Sequence, residues 1–217
     1  MILMVGGTKG GSGKTLLATN LTVLRATAGH DVLLIDADDQ GSAMDFTRQR
    51  QRRLDGKPGY TALQSREADV MVQVRQMAPK YADIIIDVGG RDTASQRAAL
   101  AVADTLLIPF PPTSVDLWTA DTVVALLKEA RPFNPSLRVV AMLNKAFPRG
   151  PDNAEAAAIL REYSAYWTYL DAPIGQRKAL SNAFGGGFAI TEYQPKDTKA
   201  IVEMRAVYRH LFDIETV

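Results

Sequence analysis

The sequence of 217 residues contains no cysteine. Disulfide frameworks, zinc–thiolate sites and iron–sulfur clusters all need cysteine, so the composition excludes these three kinds of structure. A chain without cysteine suits a reducing compartment, and we therefore expect a cytoplasmic protein. The length allows one α/β domain with a sizeable core, and we interpret residues 1–217 as a single domain.

The chain also lacks a long apolar run and a large net charge. The apolar stretch from Ile2 to Val5 has no basic leader before it, so the sequence predicts neither a signal peptide nor a membrane span. The last residues, Leu211 to Val217, include two acidic side chains, which is unlike a basic amphipathic membrane anchor. The formal net charge of +1 at pH 7 predicts no global attraction to nucleic acid, although basic residues can still cluster on one face.

What the chain does contain is a series of short apolar runs separated by stretches of helical length. This pattern is typical of strands buried on both faces of a parallel sheet. The sequence therefore predicts a doubly wound α/β fold, with a mostly parallel sheet and helices on both faces. The predicted strands are Ile2 to Val5, Val32 to Ile35, Ile84 to Ile86, Thr105 to Ile108 and Val139 to Leu143. The predicted helices are Leu16 to Ala28, Val70 to Ala78, Ala94 to Ala101 and Asp116 to Ala130.

A glycine-rich segment follows the first predicted strand and opens the first predicted helix. Gly7, four further residues and Gly13-Lys14-Thr15 fit the spacing of a Walker A phosphate loop. Glycines allow the backbone to approach phosphate oxygens closely, and the N–H groups at the helix start point at them. Lys14 would neutralise the β- and γ-phosphates, and the Thr15 hydroxyl would bind Mg²⁺. The alternative is a glycine-rich turn that binds no ligand.

The complete loop, Lys9-Gly10-Gly11-Ser12-Gly13-Lys14-Thr15, resembles the deviant Walker A motif of the ParA/MinD family of P-loop ATPases. The resemblance implies that ATP and Mg²⁺ are cofactors, and that the loop and Leu16 after it contact the nucleotide. It also implies that Lys9 reaches across an ATP-bound homodimer and stabilises charge on the partner's phosphates. For Lys9 taken alone, a surface lysine beside a phosphate site is the alternative.

Two acidic stretches match the same family in order and spacing. Leu33 to Gly41 resembles the Walker A′ motif, and Ile84 to Gly90 resembles the Walker B motif. By this resemblance Asp38 would position or polarise the attacking water, Asp36 would support the magnesium shell and Asp87 would hold a magnesium-bound water. Acidic residues at strand ends also serve as helix caps, which is the alternative. The candidate catalytic residues are therefore Lys9, Lys14 and Asp38, and the candidate metal residues are Thr15, Asp36 and Asp87.

One residue in the second stretch departs from the family. Asp39 stands where the family commonly has Pro, so the geometry of this loop and the rate of hydrolysis do not follow from the resemblance. A protein that holds nucleotide and hardly hydrolyses it is therefore one alternative function.

Later segments extend the resemblance over nearly the whole chain. Pro109 to Leu117 resembles the proline-rich loop of small plasmid-type partition ATPases, although a rigid turn would also explain these prolines. Asn144 matches a position that often contacts the adenine ring, but asparagine also caps helices. Gln176-Arg177-Lys178 and the helix after it resemble a segment in which a basic residue contacts DNA.

Basic residues near the end of the chain form the predicted DNA surface. The residues assigned to it are Arg177, Lys178, Lys199 and Arg205. A solvated C-terminal helix has a similar number of charges, which is the alternative. The stretch from Arg48 to Lys57 is also rich in Arg and Gln, and we interpret it as a solvated helix end and turn without a function.

The resemblance implies a positioning ATPase of the small form, because the phosphate loop follows Met1 too closely for an N-terminal helix-turn-helix domain. An ATP-bound sandwich dimer would bind nucleoid DNA without sequence preference, so we expect a nucleoid-associated protein that does not bind membranes. A centromere-binding or cargo-adaptor protein would stimulate hydrolysis and release it. The cargo would be a plasmid or another body, such as a carboxysome or a chemoreceptor cluster. The alternative from another class is a metabolic P-loop enzyme, such as an ATP-dependent ligase or synthase.

Overall fold

The computed structural model describes residues 1–90, 93–113 and 118–212. Ser114 to Leu117, the second half of the proline-rich segment, lie outside the described residues. Asp213 to Val217, which belong to the stretch predicted not to act as a membrane anchor, also lie outside them. Every helix in the described ranges is too short or too polar to cross a bilayer.

The strands form one sheet in which every described pairing is parallel. They are β1 (Ile2–Val5), β2 (Val32–Ala37), β3 (Thr61–Gln64), β4 (Asp83–Val88), β5 (Thr105–Phe110), β6 (Arg138–Ala146) and β7 (Thr168–Gly175). Among the described residues the sheet has seven strands in the order β3-β2-β4-β1-β5-β6-β7. Because parallel strands share one direction, the loops after β1, β2, β4, β5 and β6 meet at one edge of the sheet.

Eight α-helices surround this sheet within the described ranges. They are α1 (Lys14–Thr27), α2 (Ser42–Arg53), α3 (Asp69–Met77), α4 (Ala94–Leu100), α5 (Thr119–Ala130), α6 (Asp152–Glu162), α7 (Lys178–Gly185) and α8 (Thr198–Phe212). The predicted helices correspond to α1, α3, α4 and α5, and Asp116 at the predicted start of α5 lies outside the described residues. The predicted fold class is confirmed.

Successive strand residues point to opposite faces of the sheet, and each face has its own apolar core. In β1, Leu3 and Val5 belong to one core and Met4 to the other. The core around Leu3 is completed by residues of α1, α2, α7 and α8. The core around Met4 is completed by residues of α3, α4, α5 and α6. Helices therefore cover both faces, and the ligand-binding edge lies between these two helical layers.

The two edge strands, β3 and β7, are not continuous apolar runs, so the sequence pattern does not predict them. β3 has exposed Thr61 and Gln64, and β7 includes exposed Asp171 and Pro173. Edge strands are half solvated, and charge or proline along them discourages pairing with another chain. The periodicity used to find buried strands therefore does not detect them.

The interpretation of Arg48 to Lys57 as a solvated helix end is wrong for Arg50 and for the half-buried Arg53, which also pairs with Glu192 at 3.2 Å. Arg50 is only 5% exposed, and its guanidinium donates to both carboxylate oxygens of Glu192 at 2.5 and 2.8 Å. Its Nε also donates to the carbonyl oxygen of Pro58 at 2.7 Å. These contacts join α2 to the segment between α7 and α8, and they make Arg50 a structural residue.

Candidate functional site

The glycine-rich loop between β1 and α1 is held by a residue from β6. The Nδ2 of Asn144 donates to the carbonyl oxygen of Ser12 at 2.7 Å, and Asn144 is only 3% exposed. Gly13 caps α1 in a left-handed conformation with φ of 92°. A Cβ at Gly13 would lie 2.2 Å from Nδ2 of Asn144, so a larger residue has no room there. The loop and β6 are therefore fitted to each other at the start of α1.

The two lysines of this loop lie beside one cleft. Lys14 is buried in the first turn of α1, and its ammonium group donates to the carbonyl oxygen of Lys9 at 2.8 Å. The cleft has a volume of about 970 Å³, which is large enough for a nucleotide. The predicted residues Lys9, Gly10, Gly11, Gly13, Lys14, Thr15, Leu16 and Asp38 all line it. The structure therefore brings together most of the site that the sequence predicted.

Asp87 lies at the end of β4 and is fully buried. Burial raises the pKa of its carboxyl group to about 8, and the charge of Asp36 adds to this rise. The Thr15 hydroxyl and the Lys14 charge oppose the rise, although neither Asp87 oxygen accepts a hydrogen bond of normal geometry from a described residue. A buried carboxylate without such partners is costly, so this position favours binding of a cation.

The Lys14 ammonium group provides part of the positive charge that compensates for the buried carboxylate of Asp87. Burial lowers the pKa of Lys14, whereas the charges of Asp87 and Asp38 raise it. A buried lysine beside two carboxylates keeps its positive charge more readily than an isolated one. This arrangement suits a group that meets phosphate oxygens.

The other two acidic residues lie at the end of β2, the strand next to β4. Asp36 is buried and pairs in register with Asp87 across the two strands. Its two carboxylate oxygens accept from the backbone N–H groups of Asp38 at 3.2 Å and Met44 at 2.8 Å. Burial raises the pKa of Asp36, and these backbone donors oppose the rise. Asp36 therefore orders the loop that carries Asp38, in addition to its predicted part in the magnesium shell.

Asp38 itself reaches the cleft from that loop. Its Oδ1 accepts from the backbone N–H of Gln40 at 3.1 Å, and its carboxylate lies against Gly89, the residue after β4. A Cβ at Gly89 would lie 3.2 Å from Oδ1 of Asp38, which is tight. Asp38 therefore lies between the loop after β2 and the loop after β4 and borders the cleft, while its action on an attacking water stays a prediction.

The acidic residues and Thr15 fit a magnesium site. Mg²⁺ keeps several of its own waters and needs only one or two protein oxygens together with phosphate oxygens. The two buried oxygens of Asp87 without hydrogen-bond partners supply such ligands, and the Thr15 hydroxyl lies beside them. Within the described residues, no group of three or more acidic or histidine side chains forms a closed metal cage. This arrangement suits an ion that arrives together with a phosphate ligand.

Several cleft residues were not found from the sequence. Gly90 packs against the phosphate loop, and a Cβ there would lie 2.3 Å from the backbone nitrogen of Gly10. The other cleft residues that the sequence analysis missed are Thr93, Ser95, Lys145, Ser181 and Phe184. Gly90 closes the Walker B-like stretch Ile84 to Gly90, which was a usable signal, whereas α7 reaches the cleft only through the tertiary fold.

Asp39, the departure from the family, forms an ion pair with Arg66 from the loop after β3. The Nη2 of Arg66 also donates to the backbone carbonyl of Asp39 at 3.5 Å. The Asp39 side chain is 78% exposed and that of Arg66 is 41% exposed, so water weakens this pair. The loop that carries Asp38 is therefore contacted by a side chain from the edge of the sheet.

The predicted DNA residues do not all have the same environment. Arg177 forms an ion pair with Glu203, and its Nε donates to Oε2 of Glu203 at 3.2 Å. Lys178, Lys199 and Arg205 are exposed. Lys178 and Lys199 lie together with Lys196 around an open cleft of about 510 Å³ between α7 and the start of α8. The exposed lysines are therefore the available cations of this surface, and their contact with DNA stays a prediction.

The described part of the proline-rich segment lies near the phosphate loop. Pro111, Pro112 and Thr113 line a second cleft of about 260 Å³ together with Lys9 and Lys145, among others. Contact of Asn144 with adenine stays a prediction, since the amide nitrogen of Asn144 is already bonded to Ser12.

The chain matches the model of a known protein family, and two relatives align with it over nearly their whole length. The family model described as CobQ/CobB/MinD/ParA nucleotide binding domain matches residues 3–194. Maintenance of carboxysome distribution protein A from Halothiobacillus neapolitanus is 29% identical over 206 residues, which cover 94% of this chain and 93% of that protein. The protein of the same name from Gloeobacter kilaueensis is 31% identical over 205 residues, covering 94% of this chain and 88% of that protein.

Solved structures show the same fold. An ATP complex of an McdA variant from Cyanothece superposes with a TM-score of 0.80 and 16% sequence identity, covering all (100%) of this chain and 97% of that one. At this identity the similarity supports the architecture of the sheet and its helices.

Proposed function

Because this chain belongs to the CobQ/CobB/MinD/ParA nucleotide-binding family, we propose that it is an ATPase that positions a cargo by binding nucleoid DNA in an ATP-dependent manner. The observation that carries this proposal is the position of Lys9 and Lys14 beside one cleft that also contains Thr15 and Asp38. One lysine is sufficient for a site that only binds phosphate. The second lysine supports a site that is completed between two copies of the chain.

Hydrolysis follows from the charges around this cleft. Lys14 and the N–H groups at the start of α1 hold the phosphates, while Asp38 orients the attacking water. Thr15 and Asp87 would hold Mg²⁺, with Asp36 supporting the shell, and the bound ion would neutralise phosphate oxygens. Asp87 lacks hydrogen-bond partners among the described residues, which favours this role. Slow basal turnover is expected, since a partner must still bring the site to its active geometry.

Lys9 is proposed to act in an ATP-bound homodimer. It is half-buried beside the exposed Gly10 and Gly11, and it borders both the main cleft and the cleft next to Pro111. In the dimer its charge would stabilise the phosphates bound to the partner copy. ATP thereby controls assembly, and hydrolysis reverses it.

DNA binding is proposed for the exposed residues Lys178, Lys199 and Arg205 of α7 and α8, and for the neighbouring Arg177, which pairs with Glu203. These exposed cations suit phosphate contacts, which carry no sequence information and depend strongly on salt. A dimer presents this surface twice, and two linked weak surfaces bind DNA far more tightly than one. Dimerisation would thus convert ATP binding into DNA binding.

The cargo is proposed to be a carboxysome or a body of similar size, reached through an adaptor protein that stimulates hydrolysis. Two relatives that match nearly the whole chain are named for carboxysome distribution. A plasmid with its centromere-binding protein is the other cargo to test. The two are separated by imaging labelled carboxysomes and labelled plasmids in cells that lack this protein, since only the true cargo will lose its regular spacing.

The biochemical test uses purified protein with Mg²⁺ and ATP, ADP or no nucleotide. We expect ATP to produce a species of twice the monomer mass in light scattering, with slow release of phosphate. A monomer under all three conditions, together with rapid turnover only when a small acceptor substrate is added, would instead establish a metabolic P-loop enzyme.

A further inference from the structure

The loop after β2 carries Asp38, and part of this loop is exposed to solvent. Asp39 and Gln40 are exposed, and Asp38 is half-buried. Two backbone contacts order the loop locally, namely Gln40 N–H to Oδ1 of Asp38 at 3.1 Å and Gly41 N–H to the Asp38 carbonyl at 3.0 Å. Asp36 of β2 also anchors the loop through the N–H of Asp38, so a contact from outside is needed only to fix the exposed residues Asp39 and Gln40.

The segment Ser65–Glu67, which follows the edge strand β3, supplies that contact. Ser65 N–H donates to the carbonyl oxygen of Asp36 at 3.1 Å, and Arg66 forms the ion pair with Asp39. Arg66 also reaches the Asp39 carbonyl. One segment therefore holds both the end of β2 and the loop beyond it.

The same segment is tied to the other side of the cleft. Glu67 N–H donates to Oγ of Ser95 at 2.7 Å, and Ser95 lies in the first turn of α4 and lines the cleft. Glu67 has a φ of 51°, a left-handed conformation that residues other than glycine adopt rarely. Such conformations persist where surrounding contacts fix them, and they occur often near functional sites. The segment thus joins the loop that carries Asp38 to the helix that follows the Walker B-like strand.

We propose that Arg66 is a positioning residue for ATP hydrolysis, acting through Asp39 on the loop that carries Asp38. This inference rests on the proposed function. The pair is too exposed to contribute much to the stability of the fold, because exposed ion pairs are weak. A weak contact is still sufficient to select one arrangement of a loop among several of similar energy. The role of Arg66 is therefore expected in catalysis rather than in folding.

The matched control is Arg75, an exposed arginine on α3 for which the described residues provide no ion-pair partner. Steady-state hydrolysis is measured for the wild-type protein and for Arg66→Ala, Arg66→Lys, Asp39→Asn and Arg75→Ala. Small misplacements of a reacting group cost up to about 10²-fold in rate, and we expect Arg66→Ala to lower kcat about tenfold. The KM for ATP should change less than about twofold, because Lys14 and α1 hold the phosphates.

Two further results distinguish positioning from a general loss of structure. Arg66→Lys keeps the charge and should recover at least about half of the wild-type kcat. Asp39→Asn should lower kcat as Arg66→Ala does, and the double variant should be no slower than Arg66→Ala, because both substitutions remove the ion pair between Arg66 and Asp39. Arg75→Ala should behave as the wild type. An unchanged kcat in Arg66→Ala, an effect confined to KM, or multiplied effects in the double variant would overturn the proposal.

Hydrogen exchange separates this proposal from the proposed function. The amides of Asp38, Gln40 and Gly41 donate within the loop and should exchange at least about fivefold faster in Arg66→Ala, because loops with fewer contacts open more often. Equal exchange in Arg66→Ala and Arg75→Ala would show that Arg66 does not hold the loop. A wild-type protein that never hydrolyses ATP would contradict the proposed function, whereas the exchange rates would still decide whether Arg66 positions Asp38.

Discussion

The ammonium group of Lys14 donates a hydrogen bond of 2.8 Å to the carbonyl oxygen of Lys9, so the two functional lysines of the phosphate loop are directly linked. Lys14 is buried in the cleft, whereas Lys9 is half-buried and lies next to the exposed Gly10 and Gly11. We propose that Lys14 serves the nucleotide of its own chain and that Lys9 serves the nucleotide of a second copy. Substitutions at the two positions should therefore impair different steps.

Lys14→Ala should abolish nucleotide binding. The change removes the positive charge that faces the β- and γ-phosphates and leaves Asp87 and Asp38 without their nearby cation. We expect affinity for ATP and ADP to fall at least about 100-fold, which corresponds to about 2.8 kcal/mol. Calorimetric titration measures this loss. Lys80→Ala, an exposed lysine before β4, is the control and should bind as the wild type does.

Lys9→Ala should leave binding of ATP to the monomer within a few-fold of wild type but prevent ATP-dependent dimerisation. Its charge is assigned to the partner's phosphates, so adaptor-stimulated hydrolysis should fall about 10²-fold. Light scattering and phosphate release, measured with and without the adaptor, report the two effects. Normal stimulated turnover in this variant would exclude the role of Lys9 in the dimer.

The sequence alone predicts the buried strands and the phosphate loop of this molecule. β1, β2, β4, β5 and β6 are apolar runs, and Gly13-Lys14-Thr15 has a fixed spacing, so both could be recognised locally. Arg66 could not be recognised, because its contact with Asp39 joins residues far apart in the chain through the placement of an edge strand. The pairing of Arg50 with Glu192 was missed for the same reason. Local patterns predict which residues are buried, but they do not predict which distant charges meet.

Asn144→Ala should loosen the phosphate loop. The substitution leaves the buried carbonyl oxygen of Ser12 without its donor, and we expect a loss of about 1–3 kcal/mol in the free energy of unfolding. Urea titration measures the loss, and Asn182→Ala, at an exposed position of α7, is the control. Binding of ATP and ADP should weaken together. Wild-type stability in Asn144→Ala, with only adenine selectivity reduced, would show instead that the side chain acts on the base.

Asp87 should make the stability of the nucleotide-free protein depend on pH. Its folded pKa is raised from 3.8 to about 8, so between about pH 4 and pH 8 the folded state binds a proton that the unfolded state has lost. This contribution is fully present below the unfolded pKa and is lost as pH rises through the folded pKa. Stability should therefore fall as pH rises through this window.

Asp87→Asn removes the titration and should flatten that decline by at least about 1 kcal/mol between pH 5 and pH 8, since one pKa unit corresponds to about 1.36 kcal/mol. Unfolding is followed at several pH values without Mg²⁺ or nucleotide. Asn182→Ala, at an exposed position of α7, changes no titratable group and is the control that should keep the wild-type slope. Parallel curves for wild type and Asp87→Asn would contradict the assignment.

DNA binding by the purified protein, with Mg²⁺ and ATP, ADP or no nucleotide, tests the central claim most directly. Fluorescence anisotropy on two unrelated DNA sequences over a salt series measures affinity and the number of phosphate contacts, and Lys199→Ala should reduce the salt slope by about 1 per site. We predict tight binding in the presence of ATP but not with ADP or without nucleotide, and equal affinity for both DNA sequences. Equal or absent binding under all three nucleotide conditions would contradict an ATP-switched tether to DNA.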